Sequence, residues 1–352
     1  MIYINGRAVG PGEPTYIIAE MSANHNQSFE QALALLRAAV EAGADAVKLQ
    51  TYRADTITID NDGPLFTVGD GTIWAGKNLY QLYEEAHTPW EWQPKLAMAA
   101  EDLGVDLFST PFDETAVDFL EEMNVPAYKI ASFENIDIPL IQLIARQGKP
   151  VIMSTGMASL AEIDEAVRAV RGAGGEQLAL LKCTSAYPAL PEDMNLSTIP
   201  HMSVAFNVPV GLSDHTLGVA VPVTAVALGA CIVEKHFTLS RSVPGPDAAF
   251  SLEPSEFKEM VKAIRVAEKA LGKVQYEVTE REKASRVFRR SLFVVKDVKK
   301  GEILSGDNVR SIRPGQGLHP RHLPEVLGQY ARQDIMKGTP LRWDLVVGDV
   351  DS

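Results

Sequence analysis

The sequence predicts an α/β protein, a closed (β/α)8 TIM barrel followed by a small β-rich domain. Eight strand-like apolar runs lie at 15–20, 45–50, 106–111, 127–132, 150–155, 178–185, 208–215 and 231–237. Helix-like stretches separate most of them, at 29–42, 90–103, 114–123, 137–147, 160–171 and 218–229. Parallel strands need such covered crossovers and are buried on both faces, which makes them nearly continuous in hydrophobic character. Several runs also end on polar groups: TYIIAE at Glu20, AYKIAS with Lys129 and Ser132, VGLSDH at His215, and CIVEKHF with His236. A barrel gathers the C-terminal ends of its strands at one mouth, so these endings converge on one site. The competing arrangement is a doubly wound open sheet. The absence of Gly-x-Gly-x-x-Gly after the first strand weakens a dinucleotide-binding version of it.

In chain order, residues 2–9 have the pattern of a hairpin. The gap from 51 to 89, rich in Tyr, Trp, Gly and Asp, is too long for a plain turn and is expected to be a βα loop that covers a ligand at the mouth. The stretch 254–271 opens on Glu253, Pro254 and Ser255 and stops at Gly272, matching helix start and stop signals. Residues 273–290, with Glu280, Arg281, Glu282, Lys283, Arg286, Arg289 and Arg290, are expected to be a solvated linker. Beyond them RSLFVVKDV, KKGEILSGDNV and DIMKGTPLRW show short strands with glycine turns. The expected division is therefore a barrel domain over 1–272, a linker over 273–290 and a β-rich domain over 291–352. That last domain, under about 65 residues, is small enough to gain stability by docking. Its Arg313-Pro314-Gly315 and Gly317-Leu318-His319-Pro320 segments form a stiff loop, expected to act as a lid.

The chain has 352 residues, 46% hydrophobic and 22% charged, and a formal net charge of −13. Such a charge disfavours nonspecific nucleic-acid binding. The sequence shows no basic, apolar leader and no apolar run of the roughly 18 residues that a membrane span needs, so a cytoplasmic location without membrane association is expected. Cys183 and Cys231 sit in apolar runs and read as buried small hydrophobes rather than a bridge. Lys48, Lys129, Lys182 and Lys235 also lie inside apolar runs, where an unpaired ammonium is costly; a bound phosphate or carboxylate is expected to supply the countercharge.

His215 and His236 close the last two strands, so in a closed barrel their imidazoles face each other across a metal-sized gap. Two neutral nitrogens, with a carboxylate such as Glu20 and water, suit a divalent manganese or zinc ion. Taken singly, each histidine reads equally as a satisfied polar residue. Ser109, Thr110, Ser132, Ser154, Thr155, Ser185 and Ser213 sit at strand ends, where they can donate to a phosphate or cap the following helix. Glu20, Glu134 and Asp247 form the acid/base set, with Asp247 on the turn Pro244-Gly245-Pro246-Asp247. Trp74, Tyr80, Tyr83, Trp90 and Trp92 are read partly as core and partly as a wall for an apolar patch on a modified sugar. Asn24, His25 and Asn26 offer mixed donors and acceptors for hydroxyl or acetamido groups.

At these residues the chain resembles the sialic acid synthase family, which condenses phosphoenolpyruvate with an amino-sugar. IIAEMSANHN, GADAVKLQTY, FSTPFD, YKIAS, STGMASLAEI, KCTSAYP, GLSDHT, EKHFTL and PGPDAAFSLEP resemble the family's signatures, in its order, over most of 15–255. The tail from RRSLFVV to RPGQGLHP is similar to the antifreeze-like (SAF, β-clip) domain that follows the barrel there. Within the family the likeness is greatest to the pseudaminic acid synthase branch. Ser22, Ala23 and Gln27 replace the wording GxNHNG, and NLYQLYEEAHTPWEW, SFENIDIP and LKCTSAYPALPEDMNL are like that branch. Ala248 follows Asp247 where a generic PGPDH pattern has histidine, so no imidazole role carries over there.

The resemblance implies a divalent metal, manganese first with magnesium or cobalt as alternatives, on His215 and His236. It implies phosphoenolpyruvate at Lys48, Thr110, Lys129, Ser132, Ser154 and Ser213, to which Ser185 on the same rim is added. Glu20, Gln50, Glu134, Tyr187 and Asp247 are implied as the sugar-side and proton-handling residues, with Glu20 and Glu134 taken for the proton and Asn24 added to the sugar side. Arg313 resembles an arginine that a domain-swapped partner's tail places over the sugar, which implies a homodimer. The implied reaction joins phosphoenolpyruvate, water and 2,4-diacetamido-2,4,6-trideoxy-β-L-altropyranose to give pseudaminic acid and phosphate. N-acetylneuraminate or legionaminate synthesis is the alternative within the family, and a noncatalytic sugar-binding barrel is the alternative outside it.

Overall fold

The computed structural model of the chain describes residues 1–69 and 74–348. Residues 70–73 of the expected mouth loop and 349–352 of the expected tail domain lie outside them. The chain divides into two compact units, Met1–Gly272 and Lys273–Ser352.

The first unit opens on an antiparallel hairpin of β1, Ile2–Ile4, and β2, Arg7–Val9. Eight parallel strands follow: β3 Tyr16–Glu20, β4 Ala46–Thr51, β5 Asp106–Pro111, β6 Tyr128–Ile130, β7 Val151–Ser154, β8 Leu178–Cys183, β9 Val210–Asp214 and β10 Ile232–His236. Each pairs with the next, and β10 closes on β3 in the register His236↔Glu20, so the sheet is a closed barrel. The hairpin buries Ile2, Ile4 and Val9 completely. Asn5 and Tyr3 bond to Asp106 and Gln177 at the opposite, N-terminal ends of the strands. One end of the barrel is thus sealed, and the other carries the polar residues.

Helix Phe29–Ala42 shows how the layers form. Ser28 caps its start by accepting from Gln31 N at 3.2 Å, and Gly43 ends it at φ 94°, a left-handed conformation that glycine adopts without strain. Between these limits Ala32, Leu35, Leu36 and Ala39 are buried at helical spacing, against Ile17, Val47 and Leu49 on the outward faces of the strands. The predicted helix over 90–103 divides into a 3-10 turn, Trp90–Trp92, and helix Gln93–Leu103. Helix Thr198–Phe206 was absent from the sequence expectation. Its Pro200, β-branched residues and short buried face, Ile199, Met202 and Phe206, give a weak helical signal, and packing overrides propensity there. The loop over 51–89 contains two further helices, Ala54–Ile57 and Leu79–Ala86.

The second unit is β-rich. Strands β11, Ser291–Val294, and β12, Val309–Ile312, pair antiparallel, as do β13, Tyr330–Ala331, and β14, Val346–Val347. Leu292, Val294, Leu304, Val309, Val326 and Leu341 form its core. The expected stiff loop is tied to β11: Ser291 Oγ donates to Pro314 O at 2.7 Å and accepts from Gln316 N and Gly317 N at 3.1 and 2.8 Å.

Candidate active site

Because alternate residues of a strand face opposite ways, Glu20, Lys48, Gln50, Thr110, Lys129, Ser213, Glu234 and His236 turn inward at the open end. Register reinforces this, pairing Glu20 with Lys48, Gln50 with Thr110 and Glu234 with Ser213 on neighbouring strands. Lys48 Nζ lies 2.6 Å from Glu20 Oε2, 3.2 Å from Thr110 Oγ1 and 3.7 Å from Glu234 Oε1. Lys129 Nζ donates to Ser154 Oγ at 2.7 Å and to Ile130 O at 3.1 Å, and lies 3.9 Å from Glu234 Oε2.

Burial pushes Glu20 up to about 7, against the pull of the Lys48 ammonium. Burial also opposes ionisation of Glu234, but Lys129 and Lys48 outweigh it and hold that carboxyl low. Burial lowers Lys129, whereas for Lys48 it is outweighed by Glu20 and Glu234. The countercharge expected from a bound anion is met in part by the protein itself, by Glu20 and Glu234 at Lys48 and by Glu234 at Lys129. A buried ammonium is too costly to fold unpaired, and the protein supplies carboxylates. Lys235 points to the outer face of β10 and pairs with Asp214 at 2.6 Å, and Lys182 Nζ donates to Cys183 O at 2.6 Å and Thr184 Oγ1 at 3.3 Å.

The two imidazoles face each other with ring centroids 5.4 Å apart, inclined at 64°. Thr184 O can only accept, so His215 Nδ1, 2.9 Å away, carries the proton and leaves the lone pair on Nε2. Burial lowers His215 to about 4, and burial together with His215 pulls His236 well below the usual histidine range. Both rings are neutral near pH 7, the form that binds a metal. His236 Nδ1 and Glu234 Oε2 are buried without a hydrogen-bond partner. Among the described residues no group of three or more His, Cys, Asp and Glu is placed to hold a metal. The pair of imidazoles, with an unsatisfied nitrogen, fits a divalent ion.

Ser132, Ser154 and Ser213 are buried at the same rim. Ser132 Oγ accepts from Gly156 N at 3.1 Å. A Cβ on Gly156 would collide with the Ser185 hydroxyl and stand 2.8 Å from that of Ser132, so glycine keeps this cradle open. Ser109 and Thr155 turn elsewhere: Ser109 Oγ bonds Thr51 Oγ1 at 2.6 Å, and Thr155 Oγ1 donates to Leu181 O at 3.1 Å. Glu134 Oε2 is buried without a partner, and burial raises this carboxyl to about 7.

Tyr187 lies 4.3 Å from the His215 ring and 5.1 Å from Phe250, which stands 4.9 Å from His236. Trp74 extends this wall, 5.7 Å from Tyr187, and its Nε1 donates to Pro246 O at 2.9 Å. The other loop aromatics pack elsewhere. Trp90 stacks on Phe119 at 4.7 Å, Trp92 packs against His25 and Phe29, and Tyr83 packs against Tyr52. Tyr80 and Trp90 line a separate open groove of about 400 Å³ with Arg53, Asp55 and Glu84. Nδ2 of Asn24, the residue expected to meet the sugar, donates to Phe237 O and Ser251 Oγ, both at 2.9 Å, while its Oδ1 is buried without a hydrogen-bond partner. His25 Nε2 lies 3.2 Å from Thr88 Oγ1 within the packed interior. Asp247 is buried beside Ser22. Arg313 belongs to the second unit. Glu234 was overlooked in the sequence, although its spacing of two from His236 in IVEKH places both on one face.

Comparison with known proteins follows the same division. The NeuB family model matches residues 35–276, and the SAF domain model matches 289–347. A pseudaminic acid synthase of Campylobacter jejuni is 47% identical over 327 residues, covering 93% of this chain and 95% of that one. A pseudaminic acid synthase of Helicobacter pylori is 44% identical over 333 residues, covering 94% and 98%. The crystal structure of the spore coat polysaccharide biosynthesis protein SpsE from Bacillus subtilis superposes with a TM-score of 0.67 at 37% identity, covering 99% of each chain.

Proposed function

The chain belongs to the NeuB family of phosphoenolpyruvate-dependent nonulosonate synthases, with a SAF domain after its barrel, and from that premise we propose that it makes pseudaminic acid. The substrates are phosphoenolpyruvate, water and 2,4-diacetamido-2,4,6-trideoxy-β-L-altropyranose. The observation that carries the chemistry is the pair of neutral imidazoles, centroids 5.4 Å apart, at the mouth that also holds Lys48 and Lys129. The choice of sugar rests on the likeness to pseudaminic acid synthases and on the wall of Tyr187, Phe250 and Trp74, which suits the methyl group of a 6-deoxy sugar.

In this reading Lys48 and Lys129 bind the carboxylate and phosphate of phosphoenolpyruvate, and Thr110, Ser132, Ser154, Ser185 and Ser213 donate hydrogen bonds around them. Asp247, Gln50 and Tyr187 hold the open-chain sugar with its aldehyde toward the histidines. C3 of phosphoenolpyruvate bonds to the aldehyde carbon, whose oxygen gains a proton. Water adds at C2, and the C–O bond to phosphate breaks. Glu20 and Glu134, raised to about 7, are matched to proton transfer near neutrality, Glu20 beside Lys48 and Glu134 in the turn after β6. His215 and His236 would hold a divalent ion, manganese first with magnesium or cobalt as alternatives, which when bound supplies Lewis-acid polarisation of the aldehyde. Arg313, from the tail of a partner in a domain-swapped homodimer, completes the sugar site.

The test offers phosphoenolpyruvate with the diacetamido-altrose, with N-acetylmannosamine and with the diacetamido precursor of legionaminate, then reads phosphate release and product mass. Product from the altrose sugar at the highest kcat/KM is expected. Preference for either other sugar would move the assignment to the neuraminate or legionaminate reading, and sugar binding without phosphate release would make the barrel noncatalytic.

A further inference from the structure

Ser22 has a backbone φ of 45°, in the left-handed region that a serine adopts at a cost. It is 4% exposed, in the 3-10 turn Ser22–His25 just past β3. Its hydroxyl occupies the centre of a buried chain. Oγ donates to Asp247 Oδ2, and Gln50 Nε2 donates both to Ser22 Oγ and to Glu20 Oε1, each at 2.9 Å. With Glu20 and Asp247 ionised, the direction of every bond is fixed. Glu20, held beside the Lys48 ammonium, draws one amide hydrogen of Gln50, and the second reaches Ser22. With its own proton donated to Asp247, the serine oxygen is free to accept it. The Ala23 amide, at 3.5 Å, also approaches Asp247 Oδ2.

Two consequences follow for the atoms that face a ligand. Both protein bonds to Asp247 fall on Oδ2, so Oδ1 is the oxygen left for a ligand. Both hydrogens of the Gln50 amide are engaged, so its Oε1 is what remains. We propose that Ser22 is a positioning residue that sets Asp247 and Gln50 so that the sugar half of the site presents acceptors. Those acceptors read hydroxyl and acetamido N–H groups on the sugar. Without the Ser22 hydroxyl, Asp247 loses the bond that fixes its rotation and Gln50 keeps one unpaired amide hydrogen, which competes for carbonyl oxygens instead. The serine thus belongs to the sugar-side machinery and not to the turn alone. The inference rests on the functional reading above for the identity of the ligand, but not for the placement of the two side chains.

Two variants separate hydroxyl from backbone. Ser22→Ala removes the hydroxyl and keeps the left-handed strain; Ser22→Gly removes both. Steady-state kinetics with phosphoenolpyruvate and the diacetamido sugar should show the sugar KM raised about tenfold in both variants, the loss expected for one charge-assisted hydrogen bond. The phosphoenolpyruvate KM should stay within about twofold. A serine serving only the turn would leave the sugar KM of Ser22→Gly unchanged, and that result overturns the proposal. Crystal structures of wild type and Ser22→Gly supply a readout that needs no turnover. Asp247 is expected to rotate or adopt two orientations in the variant, and an unmoved Asp247 and Gln50 also overturns the proposal. If the wild-type protein releases no phosphate with any sugar, the functional reading fails, while the crystallographic comparison still decides the role of Ser22.

Discussion

At the scale of single residues, burial sets the chemistry. Glu134 has no hydrogen-bond partner for its buried oxygen, and its carboxyl is raised to about 7. A carboxyl raised in the folded state binds its proton more tightly there than in the unfolded chain. The resulting stability is fully present below the unfolded value near 4.3 and is lost as pH climbs through about 7. Glu134→Gln, which cannot ionise, should therefore melt higher than wild type at pH 8, with the difference shrinking toward pH 5, in paired thermal scans. Equal melting temperatures at both pH values would show that Glu134 is not destabilised as an anion. Much of this residue-level pattern was legible in the sequence. His215, His236, Lys48 and Lys129 announce themselves as polar groups in apolar strands. Glu234 was equally legible by period two, yet reads as a mere neighbour until register brings it between the lysines. The two bonds that Asn24 Nδ2 donates were not legible, because the partners Phe237 and Ser251 are more than 200 positions away.

At the scale of elements, strand ends and the turns after them do the positioning. Gly156, in the turn after β7, leaves room for Ser132 and Ser185 from two other turns. Gly156→Ala should push those hydroxyls apart and raise the phosphoenolpyruvate KM by about tenfold, the equivalent of one lost charge-assisted bond. The sugar KM should change far less, as steady-state titration of each substrate would reveal. An unaltered phosphoenolpyruvate KM would remove the serines from that half of the site. The eight barrel strands were legible because parallel strands are buried on both faces. The helix Thr198–Phe206 was hidden by its composition, and the division of 90–103 into a 3-10 turn and a helix depends on packing of Trp92 against His25 and Phe29.

At the scale of the whole molecule, the chain pairs a barrel of the NeuB family with a SAF domain. No helix of the described residues is long and apolar enough to cross a membrane. The assignment of Arg313 to a neighbour's site calls for complementation. Arg313→Ala protein mixed with His215→Ala protein should recover turnover, since one mixed site then joins intact histidines to an intact arginine. No recovery would place the arginine over its own barrel or away from the chemistry. Whether the tail is exchanged between two copies was not legible in the sequence, where Arg313 is only one of several basic residues in the tail.

The most direct test is sugar-dependent phosphate release from phosphoenolpyruvate by protein stripped of divalent ions and then supplied with manganese. Release should fall by about 100-fold or more on stripping, in line with several kcal/mol of electrostatic stabilisation. It should return with manganese in the wild type but not in folded His215→Ala or His236→Ala protein. Undiminished release from the stripped enzyme, or full restoration in either histidine variant, would contradict a metal held between these two rings.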